Sequence, residues 1–193
     1  GRVYLNGGTI ECSYDVNPSI YIYNIFEING GTLIANIIYP QGLVAGNNDA
    51  NFVLNSGIVD VNMVYSYDYN TARPAQPKIT VNGGKFTAKK FCYINELNVN
   101  GGEFHTGRIE LGIYSYDLDG GLINVTGGVL RVAGETNADF GAFNIGAYNH
   151  KGTVNISGGR IVTDANGNGG IYVGYTGPGT LNMTGGLIDC NVF

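Results

Sequence analysis

The chain has 193 residues, 13% charged and 44% hydrophobic, with 32 glycines, 24 asparagines and a net charge of −5. That apolar content excludes a disordered chain, and that much Gly and Asn excludes a helical bundle. Five prolines with no three-residue glycine period exclude collagen, and the acidic balance argues against a nucleic-acid partner. No apolar run approaches the ~18 residues of a membrane span, so membrane insertion by this segment is not expected. Gly1 is preceded by neither an initiator Met nor a signal peptide, as expected of a mature or excised piece. One domain over residues 1–193 is expected.

In chain order, a short apolar-alternating stretch runs into a glycine pair eight times. The pairs are Gly7 and Gly8, Gly30 and Gly31, Ser56 and Gly57, Gly83 and Gly84, Gly101 and Gly102, Gly127 and Gly128, Gly158 and Gly159, and Gly185 and Gly186. Their spacing runs from 18 to 31 residues and averages about 25, the length of one supersecondary unit that buries its apolar side by stacking. Four positions before the pair stand Val3, Phe26, Phe52, Ile79, Leu97, Ile123, Val154 and Leu181. Two before stand Leu5, Ile28, Leu54, Val81, Val99, Val125, Ile156 and Met183. Two after stand Ile10, Leu33, Val59, Phe86, Phe104, Leu130, Ile161 and Ile188. All 24 are apolar between mostly polar neighbours, so each pair joins two strands with one buried face.

Asn-Gly also suits a hairpin turn, and eight hairpins would form a meander. The inward parity continues across the pair, however, and the period leaves room for a third strand. That strand is visible in SIYIYN (19–24), RIELGIY (108–114), GAFNIGAY (141–148) and GGIYVGY (169–175). The expected fold is all-β: a parallel β-helix, or β-solenoid, of about eight coils of roughly 25 residues, with glycine pairs at the corners.

The runs IGAYNHKGTVNISGGRIV (145–162), VGYTGPGTLNMTGGLID (173–189) and LGIYSYDLDGGLINVTGGVLRV (111–132) resemble the Gly-rich repeats of bacterial surface β-helices. Such repeats occur in autotransporter passenger domains and in sorted surface proteins. The resemblance is close over residues 108–190 and looser over 1–107. It implies a right-handed β-helix, exported and exposed at the cell surface, and no particular activity or cofactor.

Catalysis on such a fold would need convergent carboxylates roughly 5–9.5 Å apart. Candidates are Asp117 with Asp119, which a turn before Gly-Gly also explains, and outward residues of neighbouring coils such as Glu11 and Asp60. His105 and His150 belong to different coils and read as surface histidines. Lys78, Lys85, Lys89 and Lys90 read as a solvated face. Asp164, Asn166 and Asn168 alternate as in a calcium loop, but Tyr175 stands where a bidentate Glu is required. No metal, cofactor or catalytic residue is therefore expected. The sequons at Asn124, Asn155 and Asn182 share one repeat position and follow from the motif.

Two features suggest binding. Tyr65, Tyr67, Tyr69, Tyr114 and Tyr116 lie in the near-copies VYSYDYN (64–70) and IYSYDLD (113–119), where alternating tyrosines would form an aromatic strip for sugars or protein. Cys12 and Cys190 occupy the same inward position in the first and last coils, where Ala35, Val61, Ala88, Thr106, Val132 and Thr163 stand between them. Either small residues fill a tight ladder, or end-to-end stacking brings the two cysteines within disulfide range. The function expected is a non-enzymatic extracellular structural or adhesive element, partnered by copies of itself or by neighbouring coils of a longer chain. The alternatives are a glycan-binding module and, less favoured, a polysaccharide lyase or hydrolase.

Overall fold

The computed structural model describes residues 1–12, 20–40, 50–65, 78–111, 120–132, 143–163 and 170–190. Among them the chain is all-β, with eighteen strands and no helix. Each strand pairs in parallel with the corresponding strand of the next repeat. The Asn-Gly pairs are therefore corners, because a hairpin would pair its own flanking strands antiparallel.

Three ladders result. In the first, Val3, Phe26, Phe52, Ile79, Leu97, Ile123, Val154 and Leu181 are successive register partners. In the second, Ile10, Leu33, Val59, Phe86, Phe104, Leu130, Ile161 and Ile188 follow one another in the same way. The 24 inward positions expected from the repeat all lie in these two ladders, and those of the inner rungs are buried in one continuous core. The third ladder stacks Ile20, Ile38, Val64, Cys92, Ile109, Phe143 and Ile171. This parallel, curled arrangement fits a β-solenoid.

Three members of the third ladder escape the sequence reading. They are the ends of the long strands Ile25–Pro40, Ile58–Tyr65 and Lys85–Ile94. There the chain passes from the second ladder to the third without a glycine, through a bulge between Val61 and Met63 in one case. The 18-residue repeat is the most economical: Asn95 alone separates Lys85–Ile94 from Glu96–Val99.

The corner explains the glycine pair. The second member always has positive φ, from 64° at Gly102 to 96° at Gly57, a conformation that a Cβ disfavours. The first member lies against the preceding repeat, so a Cβ on Gly101 would stand 2.4 Å from the Asn82 carbonyl oxygen. Ser56 stands at this position in the third repeat, and its hydroxyl donates to the Asn29 carbonyl.

Candidate functional site

Outside the corner, the asparagines preceding the pairs form a ladder of their own. Asn29 Nδ2 donates to Asn6 Oδ1 at 2.9 Å, Asn55 to Asn29 at 2.7 Å, Asn82 to Asn55 at 2.8 Å and Asn100 to Asn82 at 2.9 Å. A second amide ladder joins Asn124 to Asn98, Asn155 to Asn124 and Asn182 to Asn155 at 2.8–2.9 Å. The three sequon asparagines are thus engaged between repeats. Each such bond contributes about 1 kcal/mol, so the abundant Asn is structural cement.

The basic cluster is tied in the same direction. Lys78 meets Glu96 at 2.6 Å, Lys85 meets Glu103 at 3.7 Å and Lys89 meets Asp60 at 2.8 Å, all partly exposed. Glu11 and Asp60 are not in neighbouring coils: Ile34 is the register partner of both and stands between them. Two rungs put their backbones ~9–10 Å apart, and Asp60 is committed to Lys89. Among the described residues no three His, Cys, Asp or Glu side chains converge on a metal-sized site. Asp117, Asp119, Asp164, Asn166 and Asn168 lie outside the described residues.

The outer face of the third ladder differs from the rest of the surface. Tyr21, Tyr39, Tyr65 and Tyr93 follow one another there, with ring centroids 5.3, 5.5 and 5.2 Å apart. One side of each ring packs on its neighbours while part of it remains accessible. An aromatic strip thus exists, and Tyr65 belongs to it. Tyr67, Tyr69, Tyr114 and Tyr116 lie outside the described residues. The signal for the observed strip was the middle residue of IYI (20–22), IYP (38–40), VYS (64–66) and CYI (92–94), hidden by the tyrosines clustered around it.

The file then changes character. Glu110 is the register partner of Tyr93, Asn144 of Glu110, and Tyr172 of Asn144. The Glu110 and Asn144 side chains are buried, at 2% and 1% exposure, although they stand on the outward side of their strands. Arg108 pairs with Glu110 Oε1. Among the described residues, nothing donates a hydrogen bond to Glu110 Oε2 or Asn144 Oδ1. Both residues border a cleft of about 270 Å³, whose other described walls are Arg108, Ala147, Tyr148, Asn149, Tyr175 and Thr176.

Two stacked bends frame that cleft. Asn149 N–H donates to the Thr176 carbonyl at 3.0 Å, Tyr148 N–H to Thr176 Oγ1 at 2.7 Å, and Thr176 N–H to the Gly146 carbonyl at 3.3 Å. Tyr148 and Asn149 hold φ of 53° and 66° and are the only non-glycine residues with positive φ among those described. Backbone strain of this kind gathers where a surface is shaped for a purpose. None of Arg108, Glu110, Asn144, Tyr148 or Asn149 was singled out by sequence. The readable signal was the replacement of Tyr by Glu and Asn in IEL (109–111) and FNI (143–145).

Cys12 pairs in register with Ala35 at one edge of the second ladder, and Cys190 follows the Val162–Asp189 pair at the other. The two cannot meet within one chain, and all three cysteines are free thiols. Cys92 is sealed in the third ladder, where burial pushes its thiol far above the ordinary 9.0. The thiolate is the reactive form. Iodoacetamide at pH 8 is therefore expected to label Cys12 and Cys190 in the reduced, folded chain and Cys92 only after denaturation, as read by intact mass. Equal labelling rates for all three would contradict the burial of Cys92.

Comparison with protein-family models, curated proteins and solved structures finds no match to this chain.

Proposed function

We propose that the chain is a stretch of a non-enzymatic surface β-solenoid, right-handed, with about eight coils of roughly 25 residues, serving a structural or adhesive role. The observation that carries this reading is the pair of matched edges that are open among the described residues. At one edge Val3 is 45% exposed beside Leu5, Ile10 and Cys12; at the other Met183 is 49% exposed beside Leu181, Ile188 and Cys190. These sets occupy the same repeat positions, so the last rung presents what the first rung is built to cover. Unpaired parallel edges recruit further strands, supplied by neighbouring coils of a longer chain or by another copy. A head-to-tail contact of this kind does not close and yields filaments. Stacked at ~4.8 Å, Cys190 of one copy and Cys12 of the next fall within disulfide reach. Right-handedness follows the general rule for parallel crossovers, and the resemblance to surface β-helices supports export.

Negative-stain electron microscopy tests the reading. Filaments of constant width that lengthen with concentration are expected, together with dimer and higher bands on a non-reducing gel. Val3→Lys combined with Met183→Lys should abolish both by setting like charges at the joint. Monodisperse short rods at high concentration would sink it.

A second reading is favoured by the stacked tyrosines: a glycan-binding face along Tyr21, Tyr39, Tyr65 and Tyr93. Aromatic faces with hydroxyl edges suit sugar rings. Retention on polysaccharide columns, lost on replacing Tyr39 and Tyr65 with Ala, would support it.

A further inference from the structure

The cleft between Glu110 and Asn144 is built at a cost that the fold does not require. At the same outward position, five other rungs carry tyrosine, and four of these, Tyr21, Tyr39, Tyr65 and Tyr93, pack on one another. Here a carboxylate and an amide are buried side by side, and one oxygen of each has no partner among the described residues. An unmatched buried acceptor is destabilising, and two adjacent ones are rarer still. Beside them the chain adopts two left-handed non-glycine residues, which carry the exposed Tyr148 ring at 59% exposure to the cleft margin. Across from it Tyr175, packed edge-on against Tyr172 at 5.9 Å, forms another part of the wall.

We propose that this cleft binds one neutral sugar ring, a rotation of the Glu110 and Asn144 side chains bringing Glu110 Oε2 and Asn144 Oδ1 to the cleft wall, where two vicinal hydroxyls donate to them and the ring face lies on Tyr148 or Tyr175. Four properties of the site select that chemistry. The unmatched atoms of Glu110 and Asn144 are acceptors, so a ligand that meets them must bring donors. Their residues are register partners one strand spacing apart, which suits two donors on adjacent carbons. Arg108 already balances the Glu110 charge, so a cationic ligand would face the guanidinium and find no net negative charge to meet. The volume, about 270 Å³, is at the small end for ligand clefts and matches one ring rather than an extended chain. Tyrosine walls supply the amphipathic surface that a pyranose presents on one face.

This assignment deepens the glycan-binding reading and rests on it, but it places recognition in the cleft and not along the tyrosine stack. The two are separable by experiment. Saturation-transfer NMR and calorimetry on the full chain would use the methyl glycosides of glucose, galactose, mannose and N-acetylglucosamine, with ethanolamine and methylguanidinium as cationic probes. At least one glycoside is expected to bind with a dissociation constant of about 0.1–10 mM, as befits a small ligand. Tyr175→Ala should weaken it about tenfold. Asn144→Ala should abolish it, whereas Asn144→Ser, which leaves a similar space but keeps an acceptor oxygen, should retain part of it. A merely structural Asn144 would make the two variants lose binding alike.

Four outcomes overturn the proposal: no glycoside binding, binding indifferent to Asn144→Ala and Tyr175→Ala, a cationic probe bound in preference, or equal loss of binding in Asn144→Ala and Asn144→Ser. If polysaccharide retention survives the cleft variants and is lost with Tyr39→Ala and Tyr65→Ala, the glycan reading stands and the cleft is excluded. If no saccharide of any length binds, both fail together.

Discussion

Alanine at Gly102 is expected to cost about 2–4 kcal/mol, whereas alanine at Gly8 costs about 1 kcal/mol. The two occupy the same place in the repeat and hold similar left-handed backbone, with φ of 64° and 77°. The penalty for a Cβ in that conformation is common to both. What differs is the rung beneath. A Cβ at Gly102 would stand 2.4 Å from the Gly84 carbonyl oxygen and 2.6 Å from the Gly83 carbonyl carbon, while one at Gly8 meets nothing within 4 Å. Backbone atoms of a stacked strand cannot rotate aside as a flexible side chain can, so the inner corner must open or the coils must separate. Urea unfolding of both variants measures the difference directly. Equal losses would mean that left-handed backbone alone accounts for the glycine and that close coil contact does not.

The contrast also explains which parts of the architecture were legible. Val3, Leu5 and Ile10 with their counterparts recur because the same inward ladder must be filled at every rung, and a corner such as Gly101–Gly102 recurs because the second residue takes left-handed backbone every time. Repetition makes such constraints visible in one chain. The asparagine ladder was half-visible: Asn6, Asn29 and Asn55 were readable as corner residues, but their donor-to-acceptor chain appears only once register is known. The third ladder was legible at RIELGIY and GGIYVGY, and not at the ends of Ile25–Pro40 or Lys85–Ile94, where no glycine punctuates the turn.

The cleft was hidden for the opposite reason. Glu110 and Asn144 break a pattern, Tyr at the outward centre of the third strand, that has to be recognised before its exceptions mean anything. A carboxylate in a strand reads as solvent-facing by default. Its burial comes from three-dimensional context that a repeat motif does not encode.

Removing the Phe86 ring as alanine is expected to cost about 3–5 kcal/mol, the range for aromatic truncation in a core that cannot collapse. Phe86 is fully buried. It lies 4.9 Å from the Phe104 ring in its own ladder and 5.4 Å, edge-on, from Phe52 in the first ladder; Phe52 in turn stacks on Phe26 at 5.5 Å. The four rings make an aromatic column that crosses between ladders, so truncation at Phe86 interrupts contacts along the stack and across it. In a repeat architecture each unit is stabilised chiefly by its neighbours, and a break near the middle uncouples the two sides. Phe86→Ala should therefore do more than lower the midpoint: the strands from Arg2–Cys12 to Ile58–Tyr65 and those from Glu96–Val99 to Leu187–Asp189 should lose hydrogen-exchange protection at different denaturant concentrations. Ile188→Ala, at a partly exposed edge rung, should cost about 1 kcal/mol and leave a single transition. A single cooperative transition in Phe86→Ala would show that the column is not the coupling element, and that the amide and backbone ladders hold the rungs together without it.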